Sequence, residues 1–140
     1  MSHTGLGVLI NALTGGKGQL EPVNGVLGKT VREAVLKPEA KRDGALKVVF
    51  TDGTELLLFD DGRSCCESRW LHTDDDLSSL AGGVLREVRV DPGPTEEDAY
   101  GDPKESEFLV LRTDRATVTV VAYNEHNGYY SGFWLAAEVS

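Results

Sequence analysis

Basic residues are scarce in this 140-residue chain. Lys and Arg together number 14 against 23 Asp and Glu, a formal net charge of −9. Non-specific affinity for nucleic acid comes mostly from cationic side chains that neutralise phosphates, so this balance argues against direct binding to DNA or RNA. It argues equally against adsorption to an anionic membrane surface. A basic partner is compatible with it, and plain solubility explains it as well. Long apolar runs are also missing. No stretch approaches the roughly 20 apolar residues that span a bilayer. The opening Met1-Ser2-His3-Thr4-Gly5-Leu6 lacks the positive n-region of a signal peptide, and its apolar run from Leu6 to Ile10 is short. There are two cysteines, Cys65 and Cys66, side by side. Adjacent residues on an extended strand point to opposite faces, so a bond between these two would be strained. Two thiols without a disulfide framework fit a reducing cytoplasm.

What is present is enough for one hydrophobic core. Residues 1–25 are glycine-rich without a sustained period and read as an N-terminal arm. From Val26 the pattern becomes short apolar segments between turn signals, the signature of strands. Val31–Leu36, Leu46–Thr51 and Thr54–Phe59 come first, the last two joined at Asp52-Gly53, a favoured hairpin dipeptide. Glu55–Phe59 is apolar on both faces and should be central. Cys65–His72 follows. Thr73, the acids Asp74–Asp76 and Gly82-Gly83 delimit a short helix at about 74–81, with carboxylates at its positive end. Val84–Val90, Phe108–Thr113, Arg115–Tyr123 and Gly128–Val139 read as further strands. Asp91–Ser106, with its prolines and acids, reads as an exposed loop.

An internal repeat organises these segments. Gly28–Glu33 aligns with Gly82–Glu87, Thr51-Asp52-Gly53 with Thr113-Asp114-Arg115, and Cys65–Leu71 with Tyr129–Leu135. The offset grows from 54 to 62 to 64, as loop-length changes would produce. The expected fold is therefore α+β and mainly β, a single β-rich domain over 26–140. Two pseudo-repeated four-stranded antiparallel halves, 26–72 and 82–140, are joined by one short bridging helix. Trp70 and Trp134 then occupy equivalent positions and are expected as core anchors.

Chemical motifs are weak. Gly28-Lys29-Thr30 looks like the end of a phosphate-binding loop, but the first glycine would fall on Val23 and a strand follows where that motif needs a helix. The clusters Asp60-Asp61 and Asp74–Asp76 lack the alternate spacing and distal glutamate of a calcium loop. The three histidines (His3, His72, His126) and two cysteines have no paired zinc spacing. A Cys–His nucleophile pair would need Cys65 or Cys66 beside His126 or His72. No catalytic residue, metal or cofactor is expected. The best constellation is the end of each half. Strand alternation puts Cys66, Ser68 and Trp70 on one face and Cys65, Glu67, Arg69 and Leu71 on the other. Asn127-Gly128 is a turn that delivers Tyr129 and Tyr130, aromatics suited to an interface or, equally, to a buried corner.

These residues carry a resemblance. Gly28-Lys29-Thr30, Cys65-Cys66-Glu67-Ser68, Asp75-Asp76-Leu77 and Asn127-Gly128-Tyr129-Tyr130-Ser131, over roughly Val26 to Glu138, resemble a family of small proteins from bacteriophages and prophages. That family carries a serine where this chain has His126. The resemblance implies a protein acting in the cytoplasm of an infected bacterium or in a virion. The expectation is a non-enzymatic accessory protein that binds a host protein through Cys65, Cys66, Glu67, His126, Asn127, Gly128, Tyr129 and Tyr130. A virion component, such as a capsid decoration or tail accessory protein, and a binder of a small molecule or nucleotide signal are the alternatives.

Overall fold

Alternating apolar residues build eight strands in the computed structural model, which describes residues 20–39, 42–61, 67–97, 99–126 and 132–140. They are β1 (Val31–Glu39), β2 (Arg42–Phe50), β3 (Glu55–Asp60), β4 (Glu67–His72), β5 (Leu85–Glu97), β6 (Pro103–Thr113), β7 (Thr117–His126) and β8 (Leu135–Val139). They form two four-stranded antiparallel sheets, ordered β1-β2-β3-β8 and β4-β7-β6-β5. The inner faces share one core. Leu46, Val48, Phe50, Leu56 and Leu58 from the first sheet meet Leu85, Val88, Leu109, Leu111, Val118 and Val120 from the second. Burial of these side chains, each worth about 1.5–3 kcal/mol, is what drives the two sheets together.

The two sheets match each other position for position. Val31 lies opposite Phe50 and Leu85 opposite Thr113; a register shift follows at Val31/Glu33 and again at Leu85/Glu87. Ala34 then pairs with Val48 as Val88 pairs with Leu111. Where the sheets touch, Thr30 and Val84 form an antiparallel bridge. Around it the hydrogen bonds are reciprocal. Val31 N donates to Gly83 O at 2.8 Å and Leu85 N to Lys29 O at 2.9 Å; Gly82 N donates to Val31 O and Gly28 N to Leu85 O, both at 2.8 Å. Gly28 and Gly82 have φ of 93° and 83°, the left-handed region that glycine alone enters without steric cost.

The sheets are not the two sequence halves. β4, which follows β3 in the chain, pairs with β7, and β8 returns to pair with β3. Each half therefore supplies three strands to one sheet and one to the other, which sequence matching alone does not reveal.

Three further expectations are corrected. The helix at about 74–81 is a 3-10 turn, Leu77–Leu80, capped by Asp76, whose side chain accepts from Ser78 N; no α-helix occurs among the described residues. One of its acids serves backbone elsewhere: Asp75 accepts from Thr119 N at 2.7 Å, while the hydroxyl of Thr73 donates to Thr119 O at 2.7 Å. The α+β label is accordingly loose for a fold that is mainly β. The expected loop over Asp91–Ser106 is largely strand, because β5 is a sheet edge. Pro92 and Pro94 need no ladder donor there, and Gly93 at the Pro92/Thr95 bulge lies so close to Ser106 that a Cβ would meet Ser106 O at 2.8 Å. Leu20 and Val23, within the expected arm, are core residues, 1% exposed each; residues 1–19 lie outside the described residues.

Trp70 and Trp134 are only half-buried. On β4 the inward residues are Arg69 and Leu71, 6% and 8% exposed, so Trp70 points outward. An arginine displaces a tryptophan from the inner face because the opposite sheet supplies its counter-ion.

Candidate functional site

The inner face of the second sheet changes character along its strands. On β7 the inward series runs Val118, Val120, Ala122 and then Asn124 and His126, which are 0% and 5% exposed. On β6 the inward parity of Leu111 and Leu109 continues to Glu107 and Glu105. Register places Glu105 opposite Asn124, and Asn124 opposite Arg69, so three polar residues cross the sheet in one row. From the first sheet Asp60, at the end of β3, continues the inward parity of Leu56 and Leu58.

These groups satisfy one another. Arg69 Nη1 donates to Asp60 Oδ2 at 2.8 Å and to Gly132 O at 2.9 Å, with the two side chains 6% and 5% exposed. Trp134 N donates to Asp60 Oδ1 at 3.0 Å, and the Arg69 guanidinium lies 5.1 Å from the centre of the Trp134 ring. Asn124 Nδ2 donates to Gly132 O at 3.0 Å. Glu105 Oε1 accepts from Gly132 N at 2.9 Å, contacts His126 Nε2 at 2.9 Å and takes a longer bond of 3.4 Å from Asn124 Nδ2. One carboxylate oxygen thus holds the residue before and the residue after the stretch 127–131. Buried charges are costly unless paired in this way.

Glu107 stands apart in this network. Its Oε1 is buried and has no hydrogen-bond partner among the described residues. Burial, then the nearby charges of Asp60 and Glu105, push its carboxyl up to about 7. Such a group changes charge within the physiological range, which most carboxyls do not.

Of the residues expected at the site, His126 is buried on the inner face against Glu105, and Glu67 pairs with His126 along the backbone ladder. Cys65, Cys66, Asn127, Gly128, Tyr129 and Tyr130 lie outside the described residues. The described flanks of both segments nevertheless meet, because β4 begins where β7 ends. Sequence reading missed Asp60, Arg69, Glu105, Glu107 and Asn124 as a group. Extending the period-2 alternation of β7 would have placed Asn124 and His126 on the inner face. Glu105 was hidden by reading its segment as loop, and Asp60 by weighing it only as half of the Asp60-Asp61 cluster.

The outer face of the same end carries a second feature. Trp70 and Tyr123 stack with ring centres 5.1 Å apart, and Lys104 Nζ lies 5.7 and 4.8 Å from the two centres. Beside them is a groove of about 140 Å³ lined by Pro94, Glu96, Lys104, Ser106, Phe108, Val121 and Tyr123. Pockets for small molecules usually measure roughly 300–1,000 Å³, so this one accommodates little more than a side chain. Among the described residues no cluster of three His, Cys, Asp or Glu side chains could hold a metal ion, and no helix is long and apolar enough to cross a membrane.

No curated protein and no solved structure matches the chain. A family model described as a domain of unknown function matches residues 24–135, a span that includes every member of the polar network from Asp60 to Trp134. The chain belongs to the DUF7448 family.

Proposed function

We propose that this protein is a non-enzymatic accessory protein of phage or prophage origin. It works in the cytoplasm of the bacterium, where it docks on a host protein of metabolism or defence. The docking corner comprises Cys65–Glu67 and Asn127–Tyr130, with buried His126 as the flank that anchors it. What supports this reading is the double engagement of Glu105, which bonds both to His126 and to Gly132. A fold with an otherwise apolar core places a buried, charged network at one spot, and that spot fixes both flanks of the Asn127–Ser131 stretch. Fixing the flanks of a contact segment before it meets its partner lowers the ordering cost of binding. The net charge of −9 favours a basic patch on that partner. The small volume of the outer groove favours a protein partner over an enclosed small molecule.

The experiment is a comparison of wild type with the double variant Tyr129→Ala, Tyr130→Ala as baits in host lysate. The double variant should lose the protein that wild type retains, while circular dichroism and the melting curve stay unchanged. Undiminished capture by the double variant would place the docking site elsewhere.

A further inference from the structure

We propose that ionisation of Glu107 releases the Glu105 clamp, so that the hold on His126 and Gly132 depends on pH. The regulatory meaning of this switch rests on the docking reading above; the switch itself does not.

Glu105 and Glu107 are two residues apart on β6 and so face the same way. The charges that act on Glu107 are those of Asp60 from β3 and Glu105 from β6 itself; behind them stand Arg69 of β4, bonded to Asp60, and His126 of β7, bonded to Glu105. β5 places only Pro92 and Thr95 opposite Glu107 and Glu105, and neither carries charge. Arg69 Nη1 is already committed to Asp60 Oδ2 and Gly132 O. When Glu107 is neutral, the face holds two carboxylates, each with donors of its own. When Glu107 loses its proton to solvent, a third carboxylate appears beside them without a donor for its buried oxygen.

Of the two bonded carboxylates that then face this charge, the more exposed gives way. Asp60 is 5% exposed and takes Arg69 on one oxygen and Trp134 N on the other. Glu105 is 22% exposed, the one of this bonded pair with a path to water. It therefore yields, surrendering Gly132 N and His126 Nε2. The burial that lifts Glu107 to about 7 sets the transition near neutrality.

The test is amide hydrogen exchange of the full chain by NMR between pH 5.5 and 8.5, corrected for the intrinsic base-catalysed rate. Gly132 protection should fall on the order of tenfold across neutrality, while core amides such as Leu111 and Val120 hold theirs. In Glu107→Gln the Gly132 protection should stay flat. A flat wild-type profile overturns the proposal. So does an unchanged step in Glu107→Gln, which would assign the transition to a group other than Glu107. Should Glu107→Gln fail to fold, the wild-type side-chain carboxyl signal of Glu107 is compared with the Gly132 amide shift. A shared midpoint supports the switch and separate midpoints overturn it. No partner is present in any of these measurements, so a failed switch leaves the docking reading intact. Conversely, unchanged capture by the double tyrosine variant leaves the switch intact.

Discussion

Arg69 on β4 and Asp60 on β3 make an ion pair that bridges the two sheets at 2.8 Å, with both side chains almost wholly removed from water. A pair of this kind need not add net stability, because desolvation offsets the attraction. Its removal by halves is another matter.

Replacing either member alone strands a buried charge. Asp60→Ala or Arg69→Ala should each cost about 3–5 kcal/mol in urea denaturation. The double replacement Asp60→Leu, Arg69→Met should cost less than either single change, because neither charge is then left alone. Single variants within about 1 kcal/mol of wild type would show that water reaches the pair.

Stability should fall as pH rises through the slightly acidic range. The Glu107 carboxyl is neutral in the folded protein up to about 7, whereas the same group in the unfolded chain ionises near 4.5. Between those values the folded state binds the extra proton, so each step up in pH favours unfolding. Thermal melts should therefore decline from about pH 5 to pH 8, and Glu107→Gln should flatten the decline. Asp52 and Asp76 act in the opposite sense and in another window. Hydrogen bonds with Lys29 and Thr54, and with Ser78, hold their carboxyls below the ordinary 3.8, so any contribution from them fades only in stronger acid.

Glycines in this fold divide into those that are crowded and those that are not. A Cβ on Gly83 would sit 2.4 Å from Thr113 Oγ1 and 2.7 Å from Thr113 Cβ, whereas one on Gly25 meets nothing within 4 Å. Gly83→Ala should cost about 1–3 kcal/mol by overpacking, and Gly25→Ala should remain within about 0.5 kcal/mol of wild type. Equal effects would contradict the close approach of the Gly83 backbone to β6.

The outward placement of Trp70 has a measurable counterpart. Leu58, 1% exposed in the shared core, should cost about 2–5 kcal/mol on replacement by alanine. Trp70→Ala removes a larger side chain, yet it should cost less than Leu58→Ala, since it empties a half-covered stack with Tyr123 rather than a core site. The reverse order would return Trp70 to the core.

Much of the fold was legible because period-2 alternation is a local property. Asp52-Gly53 marked its hairpin, and Gly53 has the left-handed φ of 88° that such turns need. Leu56–Phe59 read as a central strand and lies between β2 and β8. The matching registers around Thr30 and Val84 follow the aligned segments Gly28–Glu33 and Gly82–Glu87. What was not legible depends on distant partners. Whether Asp91–Ser106 forms strand depends on β5 being an edge, and nothing in Pro92 or Pro94 announces that. Whether Trp70 or Arg69 faces inward depends on Asp60 from the other sheet. The polar network escaped notice for the same reason, since its members lie on β3, β4, β6 and β7.

The crossing of β4 and β8 between sheets has a bearing on how the chain comes apart. Neither half can be peeled away intact, because each is missing a strand that only the other can return. Heat or denaturant should meet a single interlocked unit and dismantle it in one step. A cut in the connection between β4 and β5 should leave two pieces that regain structure only in each other's company.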